Sequence, residues 1–354
     1  MMDLASILVF ATVGFGLFLM LLNRRLFLIP DCRLKRPVMV LSFVVITGGS
    51  ALLGFVLPYR PWVFIPVGLL CLIVGGEVRR VFIRRKCAGS VPVDAKPHQL
   101  DITRPFTTND LVCYRYQVSF RDWKGSAFRI VLLSDLHVDG SYATEFYQQV
   151  FSIVEQSGPD LVFLAGDFIT KLESLPALEE LLRPIGKLGA FAVLGNHDYW
   201  TDAEKVAAVV SYCGIRLLTN ESVGIELAGA PVRITGTDYP WKKPEKTIAA
   251  SHPAELHLVL SHTPDNIYQI SKSGADCVFS GHCHAGQIRL PFAGAIVVPS
   301  VYGRRFDHGH FIVNGTHLFV TGGIGATVLP LRIYCQPDIF IIDVTGRPEK
   351  EPES

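Results

Sequence analysis

The sequence predicts an α/β protein, with two sheets packed face to face and helices outside, preceded by an N-terminal transmembrane helical region. Three observations carry that expectation. Long uncharged apolar runs crowd the first eighty or so of 354 residues. From about Leu111, short β-branched apolar runs alternate with stretches of helical spacing. Beyond Leu256 strand signals dominate.

The apolar runs come first in the chain. Leu4 to Leu22 is 19 residues without a charge, close to the roughly 20 that span a bilayer. Val38 to Leu57 adds a run of 20, whose Gly48, Gly49, Ser50 and Ala51 permit close helix approach. Pro61 to Gly76 is a shorter run of 16 and carries Pro66. A signal peptide has one short apolar segment and a small-residue cleavage site, so three successive runs read as an anchor. Basic residues lie at Arg24, Arg25, Arg33, Lys35 and Arg36 and again from Arg79 to Lys86, while the link at Pro58 to Pro61 holds only Arg60. Three spans place both clusters, and the rest of the chain, in the cytoplasm. A third run that only dips into the bilayer would invert this. The expected organisation is an anchor over 1–86, a linker over 87–110, a catalytic domain over 111–346 and a polar tail over 347–354.

In the domain, Phe128 to Leu133 reads as a strand that stops at Ser134-Asp135. Thr144 to Gln156 has helical spacing, and Leu161 to Ala165 is a second buried strand ending at Gly166-Asp167. A helix over Leu175 to Leu188 leads to a third strand, Ala190 to Leu194, ending at Gly195-Asn196-His197. Such units build a largely parallel sheet with ligands at its carboxyl ends. Leu256 to Leu260 and Cys277 to Ser280 are strands that end at His262 and His282. Further strands are expected over Ala295 to Pro299, His310 to Val313, His317 to Thr321 and Ile339 to Val344.

Charge and cysteines narrow the function class. Lysines and arginines number 33 against 32 acidic residues, so no global charge favours nucleic acid. The eight cysteines form no C-x-x-C pair and read as reduced thiols.

Five motifs in fixed order hold the chemistry: Asp135-Leu-His137, Gly166-Asp167, Gly195-Asn196-His197-Asp198, His262, and Gly281-His282-Cys283-His284. Two carboxylates, an amide and several imidazoles at strand ends suit a pair of divalent ions. Asp167 is the natural bridge, because one carboxylate can serve both ions. Asp135 and His137, on an extended segment that turns both side chains to one face, complete one ion with an imidazole of the His-x-His pair. Asn196, His262 and the other imidazole complete the second. Such ions lower the pKa of a shared water, making hydroxide available for in-line attack on phosphorus. His197 is placed to protonate the leaving oxygen, and Asp198 to orient its imidazole. Arg304, Arg305 and His308 are candidate substrate contacts in a polar loop.

The joint pattern resembles the calcineurin-like metallophosphoesterase superfamily over roughly Phe128 to Val344. The resemblance implies a four-layer αββα sandwich and a dinuclear centre, manganese first, with iron or zinc as alternatives. It assigns Asp135, His137, Asp167 and His284 to the first metal, and Asp167, Asn196, His262 and His282 to the second, with His197 catalytic. Gly281-His-Cys-His-Ala-Gly-Gln287, Pro299-Ser-Val-Tyr-Gly303 and Gly322-Gly-Ile-Gly325 with Pro330-Leu-Arg332 look like the membrane-tethered YaeI/YkoQ-like branch. That branch usually reads G-H-T-H-G-G-Q. Cys283 and Ala285 depart from it, and Cys283 places an oxidisable thiol beside the metals.

The chain is also similar to a membrane-bound UDP-2,3-diacylglucosamine hydrolase of lipid A synthesis. That likeness implies a lipid-linked pyrophosphate substrate at a bacterial inner membrane, with the domain in the cytoplasm. A membrane phosphodiesterase or phosphatase for another phospholipid or nucleotide, and a non-catalytic scaffold, are the competing readings. Oligomeric state is not legible in the sequence.

Overall fold

The computed structural model describes residues 4–22, 34–56, 64–93, 102–120, 122–242, 248, 251–252, 255–327 and 329–346. They form two compact units, one comprising Met1–Cys87 with Ile296–Arg305, the other Ala88–Ala295 with Phe306–Ser354.

In the first unit, helices α1 (Leu4–Leu21) and α2 (Lys35–Val56) are each long and apolar enough to cross a membrane. They meet at small residues. A Cβ on Gly14 would lie 2.5 Å from Ser50 Oγ, and one on Gly54 would lie 2.8 Å from the Ser6 carbonyl oxygen. Gly48 and Gly49 face open space, so close approach uses other glycines than the sequence suggested. The third apolar run enters helix α3 (Phe64–Lys86), whose last ten residues carry Glu77 and five basic side chains. Val297 packs among Phe18, Leu22 and Met39. Arg80 and Arg84 donate to the carbonyls of Arg304 and Arg305.

The second unit holds two six-stranded sheets. Sheet one runs β1 (Val112–Phe120), β14 (Asp338–Gly346), β2 (Phe128–Leu133), β3 (Leu161–Leu164), β4 (Ala190–Ala192), β5 (Arg216–Leu217). Only the β14–β2 pair is antiparallel. Sheet two runs β12 (Gly309–Val313), β13 (Thr316–Val320), β9 (Cys277–Ser280), β8 (Leu256–Ser261), β7 (Ala230–Thr237), β6 (Ser222–Leu227). Its central strands are parallel.

The uninterrupted apolar runs follow from burial on both faces. Ile130, Leu132, Phe163 and Phe191 join Ile234, Leu258, Phe279 and Phe340 in a core between the sheets. Alternate residues Val131, Leu133, Val162 and Leu164 pack on the other face with helices Thr144–Gln156, Leu175–Leu182 and Ala203–Tyr212.

Several expectations shift. Pro184 ends the helix expected to reach Leu188, leaving Leu175–Leu182 and a 3-10 turn at Ile185–Lys187. The strand expected over Ala295 to Pro299 reduces to β11 (Gly294–Ala295), paired with β10 (Arg289–Leu290) in a two-residue ribbon. Strands β6 and β7 were not legible as a hairpin. Among the described residues, the chain beyond β7 holds one α-helix, Ile267–Ile270. The expected linker is docked where described. Ala88 bridges to Phe311, the Gly89 N–H donates to the His310 carbonyl at 3.0 Å, and Val93 N–H to Arg115 at 2.7 Å. The expected tail lies outside the described residues.

Candidate metal centre

Strands β2, β3 and β4 are neighbours, as are β8 and β9, and each delivers its motif just past its carboxyl end. Because the sheets share one core, the two sets of loops converge. Asp135, His137, Asp167 and His284 have donor atoms within 4.8 Å of one another, and so do Asp167, His262 and His282. Asp167 belongs to both groups. His262 Nε2 lies 3.2 Å from Asp167 Oδ2 and 3.1 Å from Asn196 Oδ1. His284 Nε2 lies 3.3 Å from Asp135 Oδ1 and 3.1 Å from His137 Nε2. All seven side chains are buried.

These residues fit divalent ions on their own evidence. Asp135 Oδ2 accepts from Ser134 Oγ and from the His282 N–H, whereas Oδ1 has no hydrogen-bond partner among the described residues although it is buried. A carboxylate oxygen stripped of water and donors, and aimed at two imidazole nitrogens, is a ligand atom in want of a cation. Ring nitrogens that approach each other at 3.1 Å suit a shared electrophile better than each other.

Electrostatics follow from burial. Burial, opposed by His262 and aided by Asp167, pushes the Asp135 carboxyl up to about 6. Burial and the neighbouring His197 hold His137 down to about 3. Burial opposes charge on Asp167 and His262 as well, yet their mutual attraction wins, holding Asp167 well below the usual range and raising His262 to about 9.

The backbone is strained where the ligands sit. Asp135, His137, Asp167, His282 and His284 all have φ between 45° and 66°. Asp135-Leu-His137 is therefore curled rather than extended, which corrects the extended reading. Its N–H groups donate to the Gly166 and Asp167 carbonyls at 2.8 and 3.0 Å, so the chelating pair is shaped by the neighbouring loop.

His197 stands half-buried at the edge of the cluster. Its ring is edge-on to His137 at 4.7 Å and lies 5.0 Å from Trp200, and its Nε2 is 3.4 Å from Thr327 Oγ1. Asp198 Oδ2 accepts the N–H groups of Asp167 and Gly195, both at 2.9 Å, and Oδ1 accepts that of Phe168 at 2.8 Å and the longer Ile169 contact. Its carboxylate knits the two ligand loops together. Burial and the Asp167 charge push its carboxyl up to about 7, against the pull of those N–H donors.

Arg304 and Arg305 fall in the helical unit, where Arg304 pairs with Glu77 and Arg305 lies 5.5 Å over the Tyr302 ring. His308 Nε2 lies 2.6 Å from Asp338 Oδ2, a tie within the sheets. Cys283, expected as an oxidisable thiol, is fully buried, and burial raises its thiol well above the normal range, which disfavours the reactive thiolate. The seven described cysteines are unpaired thiols.

Sequence reasoning missed the supporting residues. Thr170 Oγ1 meets His137 Nδ1 at 3.2 Å, and the Ala165 carbonyl meets His262 Nδ1 at 2.5 Å. Trp241 packs on His262 and His282 at 5.3 and 5.4 Å. No periodicity marks them, because each acts through a fold contact. Only Arg332 stood in a quoted motif.

Residues 128–286 match the calcineurin-like phosphoesterase family. The chain carries a calcineurin-like metallophosphoesterase domain, the domain of a metal-dependent phosphoester hydrolase. Its homologues include the metallophosphoesterase YkuE of Bacillus subtilis, 29% identical over 260 residues that cover 70% of this chain and 86% of that protein. The phosphodiesterase YaeI of Escherichia coli is 28% identical, over 65% of this chain and 87% of its own. The metallophosphoesterase YkoQ of Bacillus subtilis is 29% identical, over 59% and 81%.

Proposed function

We propose that this chain is a membrane-anchored dinuclear phosphohydrolase that cleaves the pyrophosphate of UDP-2,3-diacylglucosamine to lipid X and UMP. The convergence of Asp135, His137, Asp167 and His284 with Asp167, His262 and His282 in one buried cluster carries the hydrolase part. Asp135, His137, Asp167 and His284 would hold one ion, and Asp167, Asn196, His262 and His282 the other. When bound, two such ions, manganese first among the candidates, supply Lewis-acid charge and an activated water to a phosphoryl group.

The chain's own residues do the rest. Asp198 fixes the Asp167 and Gly195 loops so that ligand geometry is set in advance. His197, half-exposed beside the cluster, delivers a proton to the departing phosphate oxygen. Half-buried Trp200 and Trp241 flank His197 and the His262–His282 pair, offering flat faces on which a nucleobase can stack.

Helices α1 and α2 support a membrane anchor, which raises the effective concentration of a diacylated substrate whose head group projects from the bilayer. Two spans plus α3 as a third would leave the domain in the cytoplasm. Similarity to a phosphodiesterase, YaeI, favours a second reading in which the substrate is another phospholipid or nucleotide diester.

The test is hydrolysis of UDP-2,3-diacylglucosamine by purified full-length protein in detergent with added manganese, beside Asp167→Ala. UMP and lipid X formed only by the intact protein would support the proposal. Metal-dependent cleavage of a generic diester without UMP release would sink the substrate and keep the hydrolase.

A further inference from the structure

Among the described residues Arg332 is the largest fully buried side chain, and no carboxylate pairs with it. A guanidinium out of water costs several kcal/mol by order of magnitude unless every donor is used. Here they are used on one loop. Nε donates to the Gly325 carbonyl at 3.1 Å, and Nη2 to those of Gly322 and Gly323 at 2.8 and 3.0 Å and to Gly325 again. Nη1 reaches Cys335 Sγ at 3.8 Å, and Nη2 approaches His284 Nδ1 at 3.5 Å. The backbone of Arg332 is itself held, by Thr108 Oγ1 at 3.0 Å and by the Thr107 N–H at 3.0 Å.

The clasped loop rests on one half of the cluster. The N–H groups of Ile324 and Gly325 donate to the Ser134 and Asp135 carbonyls at 3.1 and 2.7 Å. A Cβ on Gly323 would sit 2.6 Å from Asp135 Cβ, and one on Gly325 would sit 2.3 Å from the Leu136 carbonyl oxygen and 2.9 Å from His137 Cβ. The loop is thus a backstop for two residues held at positive φ. Cys335, next to Arg332 in space, donates from Sγ to the His284 carbonyl at 3.2 Å. These contacts fall on the Ser134–His137 segment and on His284. None falls on Asn196, His262 or His282.

We propose that Arg332 is a positioning residue for the first ion alone: its guanidinium presses the Gly322–Gly325 loop onto Asp135 and His137 and braces His284. This rests on the dinuclear reading above. A lysine places one point charge where a planar fork meets three carbonyls, so it restores the clasp only in part.

The test measures metal content, not turnover. Metal-free wild type, Arg332→Lys and Arg332→Met are titrated with manganese by calorimetry, with bound metal counted after dialysis. Wild type should take two ions. Arg332→Met should keep one site at wild-type affinity and weaken the other at least tenfold, with Arg332→Lys between, the size typical of lost support around a ligand. Gly325→Ala, which pushes the same loop away from Leu136, should repeat the selective loss if Arg332→Met does not fold. Two unchanged sites in the variants, or both sites weakened equally, would overturn the role of Arg332. Fewer than two ions in wild type would overturn the dinuclear reading instead.

Discussion

Asp198→Asn separates two ways of using one carboxylate. In the structure Oδ2 holds the Asp167 and Gly195 N–H groups at 2.9 Å, and Oδ1 holds that of Phe168 at 2.8 Å. The amide oxygen of asparagine can keep one pair, but its NH2 then faces the Phe168 N–H, donor against donor. Leaving that buried N–H unmet costs about 1–3 kcal/mol, while the charge itself, opposed by burial and by Asp167, adds little. The expected destabilisation of the metal-free protein is therefore about 1–3 kcal/mol, read as a shift of the urea midpoint with unchanged slope. Because the same oxygen spans the Asp167 and Gly195 loops, manganese affinity should fall roughly 10- to 100-fold as well. A loss below about 1 kcal/mol, with turnover reduced and metal affinity intact, would refute this and return Asp198 to orienting His197.

The remaining predictions concern the same domain. His197→Ala should lower turnover about 10²- to 10⁴-fold while leaving the melting curve and manganese stoichiometry unchanged; an active variant removes the proton-donor role. Chelation should abolish hydrolysis, and ions restored at 100 times their Kd should stabilise the fold by about 2.7 kcal/mol per ion, seen as a rise in Tm. His257 is held by Thr235 Oγ1 at 2.8 Å and Ser251 Oγ at 2.7 Å, and burial lowers it to about 4. The unfolded chain then binds more protons, so its contribution of about 3 kcal/mol is intact above pH 6.5 and lost as pH falls toward 4. Melting of the metal-free protein at pH 7.5 and 5.0 checks this, and His257→Gln should show a shallower pH slope.

The ligand positions were legible because chemistry and fold impose the same local signal: an apolar run must stop where a carboxylate or imidazole is to meet a cation. Leu133 before Ser134-Asp135 and Leu164 before Gly166-Asp167 show that rule in one dimension, and the sandwich of two sheets follows from strands apolar on both faces. Helices α1 and α2 were equally plain, since being long and apolar enough to cross a membrane is a matter of length and composition.

Only the tertiary structure decided how the motifs are held. Asp198 reaches N–H groups some thirty residues away, Arg332 closes on carbonyls set by a loop, and the curl of Asp135-Leu-His137 is imposed by the Gly166–Phe168 backbone. Such contacts depend on which chain segments become neighbours, and hydrophobic periodicity carries no record of that. The same reason hid the surroundings of Arg304, Arg305 and His308: their polarity was visible, but their partners Glu77, Tyr302 and Asp338 were not.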